Sequence, residues 1–282
     1  SGLIGGNVPT GAGQGIIQLV NNEWSTFGAP PNILAATTYG NRLVIGGQIH
    51  MIAANPADPF TSLDAANLAA WDGYEVTSFG NVSGTVRALK TFTSNTFPPQ
   101  RDLFVAGTFG GVALPGAVGF TVNNIARYTE NARDRDGTTI LPPGWFTMGQ
   151  GFNSSVHALE RFSNATYAGG SFTMSGATSA NRVARYDGTN WQPLGTGMNS
   201  GTVHALRVYN GALYAGGSFT AAGGANTGGL ARWNGSTWSV VSSFFSGTVF
   251  ALAVYNNELI IGGQFGAVIP NIIKYNGTAY SA

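Results

Sequence analysis

The chain contains no cysteine among its 282 residues. Disulfides, thiolate metal sites and a cysteine nucleophile are excluded at once. Charge is also scarce: charged residues make up 9%, and 13 Lys and Arg stand against 12 Asp and Glu. That balance offers no basic stripe to nucleic acid or to an anionic membrane surface. No apolar run approaches the roughly 20 residues that a membrane-spanning helix requires, and no stretch of convincing length carries helical periodicity. The common catalytic signatures are missing too: there is no G-x-S-x-G elbow, no H-E-x-x-H and no phosphate-binding Gly-Lys-Ser/Thr. The 12 carboxylates are too scattered to nominate a glycosidase pair. The chain opens on Ser1 without a charged n-region or apolar h-region, so a processed chain, an engineered one or part of a longer one is expected. A weakly charged, Gly/Asn/Thr-rich chain is more usual among exported proteins, and an extracellular or cell-surface location is the expectation.

Glycine, by contrast, is abundant, with 42 residues, about twice its usual share of ~7%. Many of these glycines sit in a repeat. "LYAGGSFT" (213–220) is nearly copied as "TYAGGSFT" (166–173), with echoes at "LVIGGQIH" (43–50), "LFVAGTFG" (103–110), "LIIGGQFG" (259–266) and "LIGGNVPT" (3–10). The Gly pairs, Ala-Gly in one copy, begin at 5, 46, 106, 169, 216 and 262. A unit of about 45 residues with two long insertions is the size of one four-stranded propeller blade.

Within the best copy, "TVHALRVY" is followed by "NG", "ALYAGGSFT", a Gly-rich link, "GLARW", a second "NG" and "STWSV". Asn-Gly between apolar runs signals a tight hairpin, because a type I′ turn needs positive φ at both central residues. The second turn recurs as Asp72-Gly73, Asp187-Gly188, Asn234-Gly235 and Asn276-Gly277. Each unit therefore reads as four antiparallel strands, a to d. The expected fold is all-β, a single six-bladed β-propeller with blades at approximately 1–28, 32–80, 84–150, 154–197, 201–243 and 247–282. Residues 1–28 supply strands b, c and d but no strand a, so that terminal blade is incomplete. Its inner strand is expected either from further sequence of the same polypeptide or from a neighbouring subunit.

The Gly pair ending strand b, the aromatic in strand c (Tyr186, Trp233) and a second aromatic five residues on (Trp191, Trp238) resemble the repeat of kelch and galactose-oxidase-type propellers. The chain is more similar still to propeller repeats of large secreted bacterial surface proteins. The resemblance covers nearly the whole chain and implies a propeller. The spacing between Gly pair and aromatic departs from the kelch pattern, so nothing catalytic is carried over. Galactose-oxidase chemistry needs a Tyr–Cys crosslink that this chain cannot form. The sialidase box is likewise unmet, since "YDGTNW" (186–191) has Asp and Gly adjacent.

Aligned copies show which positions vary. The second residue of the strand a core, V-x-A-L, is Leu34, Arg87, His157, His204 and Phe250. Strand a lines the channel of a propeller, so Arg87, His157 and His204 are candidates for a channel-end anion or metal site. Packing between blades is the competing reading, and two imidazoles are too few for a closed zinc site. In strand c, Arg127, Arg185, Arg232 and Lys274 precede the aromatic, with Ala70 and Gln18 in the other copies. These bases either cover aromatic faces structurally or form rim pockets for sugars or anions with Trp71, Tyr186, Trp233 and Tyr275. The insertions at 49–73 and 128–149 are long enough to be functional loops. Asp134 and Asp136, with Glu130 nearby, resemble part of a calcium loop without the full acidic run. No cofactor or resident metal is expected. Asn81, Asn153, Asn164, Asn234 and Asn276 head N-x-S/T sequons, two of them explained by turn chemistry alone.

Three functions remain open. The first is a non-catalytic protein-interaction or assembly module, binding a protein partner or the remainder of a larger chain. The second is a carbohydrate-binding propeller with repeated rim sites, and the third an enzyme using the channel histidines.

Overall fold

The computed structural model describes residues 3–6, 15–20, 23–27, 32–49, 51–55, 58–64, 67–72, 76–78, 80–93, 100–130, 143–241, 247–265 and 271–281. These residues are all β or turn, with no helix among them. The chain divides into two compact units, Ser1–Thr147 and Met148–Ala282. The first holds a three-stranded sheet (Leu3–Gly6, Gly15–Val20, Glu23–Phe27) and two four-stranded sheets. Sheet 1 is Asn32–Tyr39, Arg42–Gln48, Leu68–Trp71 and Val76–Ser78; sheet 2 is Thr85–Thr93, Arg101–Thr108, Ile125–Thr129 and Gly144–Thr147. The second unit holds three more. Sheet 3 is Val156–Phe162, Ala165–Gly170, Val183–Tyr186 and Trp191–Pro193; sheet 4 is Val203–Tyr209, Ala212–Gly217, Leu230–Trp233 and Trp238–Val240. Sheet 5 is Thr248–Tyr255, Glu258–Gln264, Ile272–Tyr275 and Tyr280–Ser281. Each of the five four-stranded sheets is antiparallel in the order a, b, c, d, a repeated architecture compatible with a β-propeller.

The V-x-A-L core owes its form to a bulge. In all five four-stranded sheets the ladder slips at x, between Ile33/Ala35, Val86/Ala88, Val156/Ala158, Val203/Ala205 and Val249/Ala251. In a regular strand, residues i and i+3 face opposite ways. One extra residue restores them to the same side, so in sheets 2, 4 and 5 valine and leucine project together towards the preceding sheet. There they meet the Gly pair. A Cβ on Gly169 would stand 2.5 Å from Val203 Cγ1 and 3.4 Å from Leu206 Cδ1. Gly46 is closed off in the same way by Val86 and Leu89, and Gly216 by Val249 and Leu252. The second glycine faces a different obstacle, the carbonyl just before the bulge: Thr85 O over Gly107, Ser155 O over Gly170 and Thr202 O over Gly217. The Gly pair thus answers two separate packing demands, one between sheets and one within a sheet.

The aromatics complete the core. Phe172 and Phe219, each following a Gly pair, are buried, and Phe172 stacks on Phe152 at 3.9 Å between centroids. Across the c–d hairpins of sheets 2 to 5 the strand c aromatic opposes the strand d aromatic: Tyr128 and Trp145 (5.4 Å), Tyr186 and Trp191 (5.1 Å), Trp233 and Trp238 (5.2 Å), Tyr275 and Tyr280 (4.6 Å), whereas in sheet 1 Trp71 opposes Val76. The strand d tryptophans also bond backbone carbonyls that precede their own sheets. Trp191 Nε1 donates to Met148 O and Trp238 Nε1 to Leu194 O, both at 2.9 Å.

Turns follow two chemistries rather than one. At the a–b hairpins of sheets 3 to 5 both central residues have positive φ (Ser163-Asn164, Asn210-Gly211, Asn256-Asn257), as a type I′ turn demands. At the c–d hairpins only the glycine does (Gly188, Gly235, Gly277). There the preceding side chain holds the turn: Asp187 Oδ1 accepts from the Thr189 and Asn190 amides, Asn234 Oδ1 from Ser236 and Thr237, and Asn276 Oδ1 from Thr278 and Ala279. The c–d Asn-Gly pairs are therefore side-chain-capped turns, not I′ turns.

Candidate functional site

The variable strand a position is the bulge residue itself, which sequence alternation alone does not reveal. In the second unit three of these side chains form a row. His157 and His204 rings lie 5.7 Å apart, edge to face, and His204 lies 5.4 Å from Phe250. Burial holds the His204 imidazole below its usual pKa of 6.5, because a desolvated imidazolium is disfavoured. In the first unit Arg87 Nε donates to Thr108 Oγ1 at 3.3 Å, and Leu34 is exposed. No group of three His, Cys, Asp or Glu suited to a metal ion occurs among the described residues. The row is an aromatic surface with two edge-on imidazoles.

The strand c bases sit elsewhere. Arg127 opposes Phe104 and Phe146 in register, lies 5.1 Å from the Phe146 centroid and pairs with Asp102 at 3.5 Å. Arg185 opposes Tyr167 and is exposed; Arg232 opposes Tyr214; Lys274 opposes Ile260. The Tyr167 and Tyr214 phenols are raised above their ordinary pKa by burial, with Arg185 and Arg232 working against it. Adjacent strand residues face opposite ways. Consequently Arg232 and its neighbour Trp233 share no pocket: Trp233 is 6% exposed and belongs to the core formed with sheet 3.

Arg232 instead lines a cavity of about 310 Å³ with Asn210, Tyr214, Ser239 and, from the next sheet, Tyr275 and Gly277. Tyr275 Oη donates to Gly277 O at 2.7 Å. The cavity offers a guanidinium, a carboxamide, a hydroxyl and two phenol rings, a set able to hold a hydroxylated or anionic small group. Trp71 and Tyr186 are half-buried in their own sheets, and Tyr186 faces Trp191.

Of the two insertions, residues 49–73 contain an antiparallel hairpin, Met51–Asn55 with Asp58–Asp64. Asp134 and Asp136 lie outside the described residues; Glu130 accepts a hydrogen bond from Arg42. Of the sequon asparagines, Asn234 and Asn276 cap turns as described. Asn153 accepts from the Thr173 and Met174 amides, Asn164 lies in an a–b turn with φ of 60°, and Asn81 is exposed. A further set of structural residues escaped the sequence reading. The residue before strand c takes positive φ at Asn67, Asn124 and Arg182. Asn67 Nδ2 then donates to Val82 O, and Arg182 donates to Gly201 O and Met198 O, clamping the next sheet's linker. Recurrent asparagine one residue before strand c was the available signal.

No family model matches the chain, and no curated protein matches it. Among solved structures, the chain is similar to the computationally designed Ika8 protein, with 16% identity, a TM-score of 0.34 and coverage of 89% of this chain and 85% of that one. A likeness at that score carries no argument about fold or function.

Proposed function

We propose that the five four-stranded sheets and the N-terminal three-stranded sheet are the six blades of a propeller that acts outside the cell or on its surface as a non-catalytic interaction or assembly module. Kelch-like descent belongs to the same reading. The observation that carries it is in sheet 5, where Ile272 is 65% exposed, Tyr255 68% and Phe250 54%. The residues equivalent to Ile272 in the other sheets, Leu68, Ile125, Val183 and Leu230, are all buried. Large apolar side chains exposed at a position that is buried in the other sheets point to an interaction surface.

The test compares the chain with its Ile272→Asp variant as bait for proteins exported by the source organism. Expected is a captured protein that rebinds when purified and is lost with the variant. Capture unaffected by Ile272→Asp overturns the reading.

The rim cavity favours a second reading, carbohydrate binding. Glycan-array signals abolished by Arg232→Ala would establish it. Trp233→Ala is the wrong probe, because that ring is core.

A further inference from the structure

A basic residue stands in strand c of sheets 2 to 5, and in three of these an acid lies two residues from it or from the residue it opposes. Arg127 pairs with Asp102 at 3.5 Å, and Asp102 lies two residues before Phe104, which Arg127 opposes. Glu258 holds the same register place in sheet 5, two residues before Ile260, which Lys274 opposes. In sheet 3 the acid is Asp187, two residues beyond Arg185 and within its electrostatic reach. Sheet 4 has neither. Ala212 stands two residues before Tyr214, which Arg232 opposes, and Asn234 stands two residues beyond Arg232. Among the described residues no ion pair forms at Arg232.

This guanidinium lines the cavity of about 310 Å³ at the joint of sheets 4 and 5, both within the second unit. It bonds the Tyr214 phenol, one corner of a triangle with Tyr209 and Tyr275 whose ring centroids lie 5.7, 6.4 and 6.5 Å apart. All three rings are buried. Two of the phenols are committed: Tyr209 Oη donates to Asn257 O at 3.1 Å and Tyr275 Oη to Gly277 O at 2.7 Å. Asn210 is exposed, and among the described residues its carboxamide has no hydrogen-bond partner. Ser239 Oγ donates to Arg232 O at 3.3 Å and keeps its lone pairs free to accept.

We propose that this cavity binds a sugar acid, with its carboxylate on the Arg232 guanidinium and its ring hydroxyls on Asn210 and Ser239. A guanidinium presents its N–H donors as a planar fork that matches a carboxylate bidentately. One bond to Tyr214 leaves most of its five donors for a ligand. The neutral carboxamide and hydroxyl beside it suit hydroxyls rather than a second charge. The volume lies at the low end of ligand pockets, roughly 300–1,000 Å³, and so suits one ring rather than a peptide segment. Where the other sheets carry an acid, sheet 4 leaves the charge to be met by the ligand. The inference rests on the carbohydrate-binding reading of this cavity.

The experiment titrates the intact chain by calorimetry with sodium glucuronate and galacturonate, with neutral glucose and galactose, and with acetate. Saturable uronate binding is expected, about tenfold or more tighter than that of the neutral sugars or acetate. Arg232→Gln should weaken it by about tenfold or more. Asn234→Asp copies the Asp187 turn, so the fold stands, and gives sheet 4 an acid of its own. It should weaken uronate binding about threefold, the scale of one solvent-screened charge. Uronate binding that is absent, or unchanged in Arg232→Gln, overturns the proposal, and unchanged binding in Asn234→Asp overturns the role of the missing acid. Neutral sugars bound as tightly as the uronates overturn the carboxylate contact and leave the carbohydrate reading standing. Acetate bound as tightly overturns the sugar acid and the carbohydrate reading together.

Discussion

Val203 Cγ1 lies 2.5 Å from where a Cβ on Gly169 would stand, and this pair explains why the chain repeats its Gly motif. Gly169→Ala forces a methyl into a filled joint. We expect a loss of about 1–3 kcal/mol, the usual cost of overpacking, measured by denaturant unfolding. The double variant Gly169→Ala/Val203→Ala should recover part of that loss. A neutral single variant would show that the joint yields.

Trp191 Nε1 and Met148 O form a buried bond that Trp238 and Leu194 repeat. Phenylalanine at either tryptophan keeps an aromatic ring and removes the donor, leaving a carbonyl without its partner. The expected cost is about 1–3 kcal/mol, similar at the two sites. Unequal losses would mean that the two joints are not equivalent.

Asp187 accepts two backbone amides and the Gln192 carboxamide, which hold its carboxyl down at about 2 from 3.8. The folded state therefore favours the charged form. The resulting stability is full above the unfolded value and is lost as pH falls from about 4 through 2. Asp187→Asn keeps the turn, as Asn234 and Asn276 do, and removes the titration. The melting temperature of the parent should fall faster than the variant's over that window.

His204 works in the same direction at higher pH. Burial lowers its pKa from 6.5, so acidification protonates the unfolded chain first and stability drains as pH falls through 6.5. His204→Phe copies the residue that sheet 5 carries at this position, Phe250. Its stability should change less than the parent's between about pH 7 and 5. Equal slopes in the two proteins would refute the role of burial.

Much of the sheet architecture was legible. Strand periodicity, Asn-Gly punctuation and the recurrent Gly pair located the strands of sheets 3 and 4, where the copies are closest. The site was less legible. "V-x-A-L" in sequence gave no sign that x is a bulge, because two-residue alternation places Val203 and Leu206 on opposite faces until one residue is inserted. The rim pairing of Arg232 with Trp233 failed for a related reason: neighbours along a strand point apart, and the aromatics that share the Arg232 cavity are Tyr214 on the neighbouring strand and Tyr275, forty-three residues on.

By itself the sequence determined an all-β repeat without cysteine chemistry, because strand formation and turn geometry are local and each copy restates them. Only the tertiary structure decided which glycines are filled and which is open. Gly216 and Gly262 each open a Gly pair and hold equivalent places in the register, yet among the described residues only Gly216 meets another sheet's valine. That distinction depends on contact between distant strands, which no local pattern encodes.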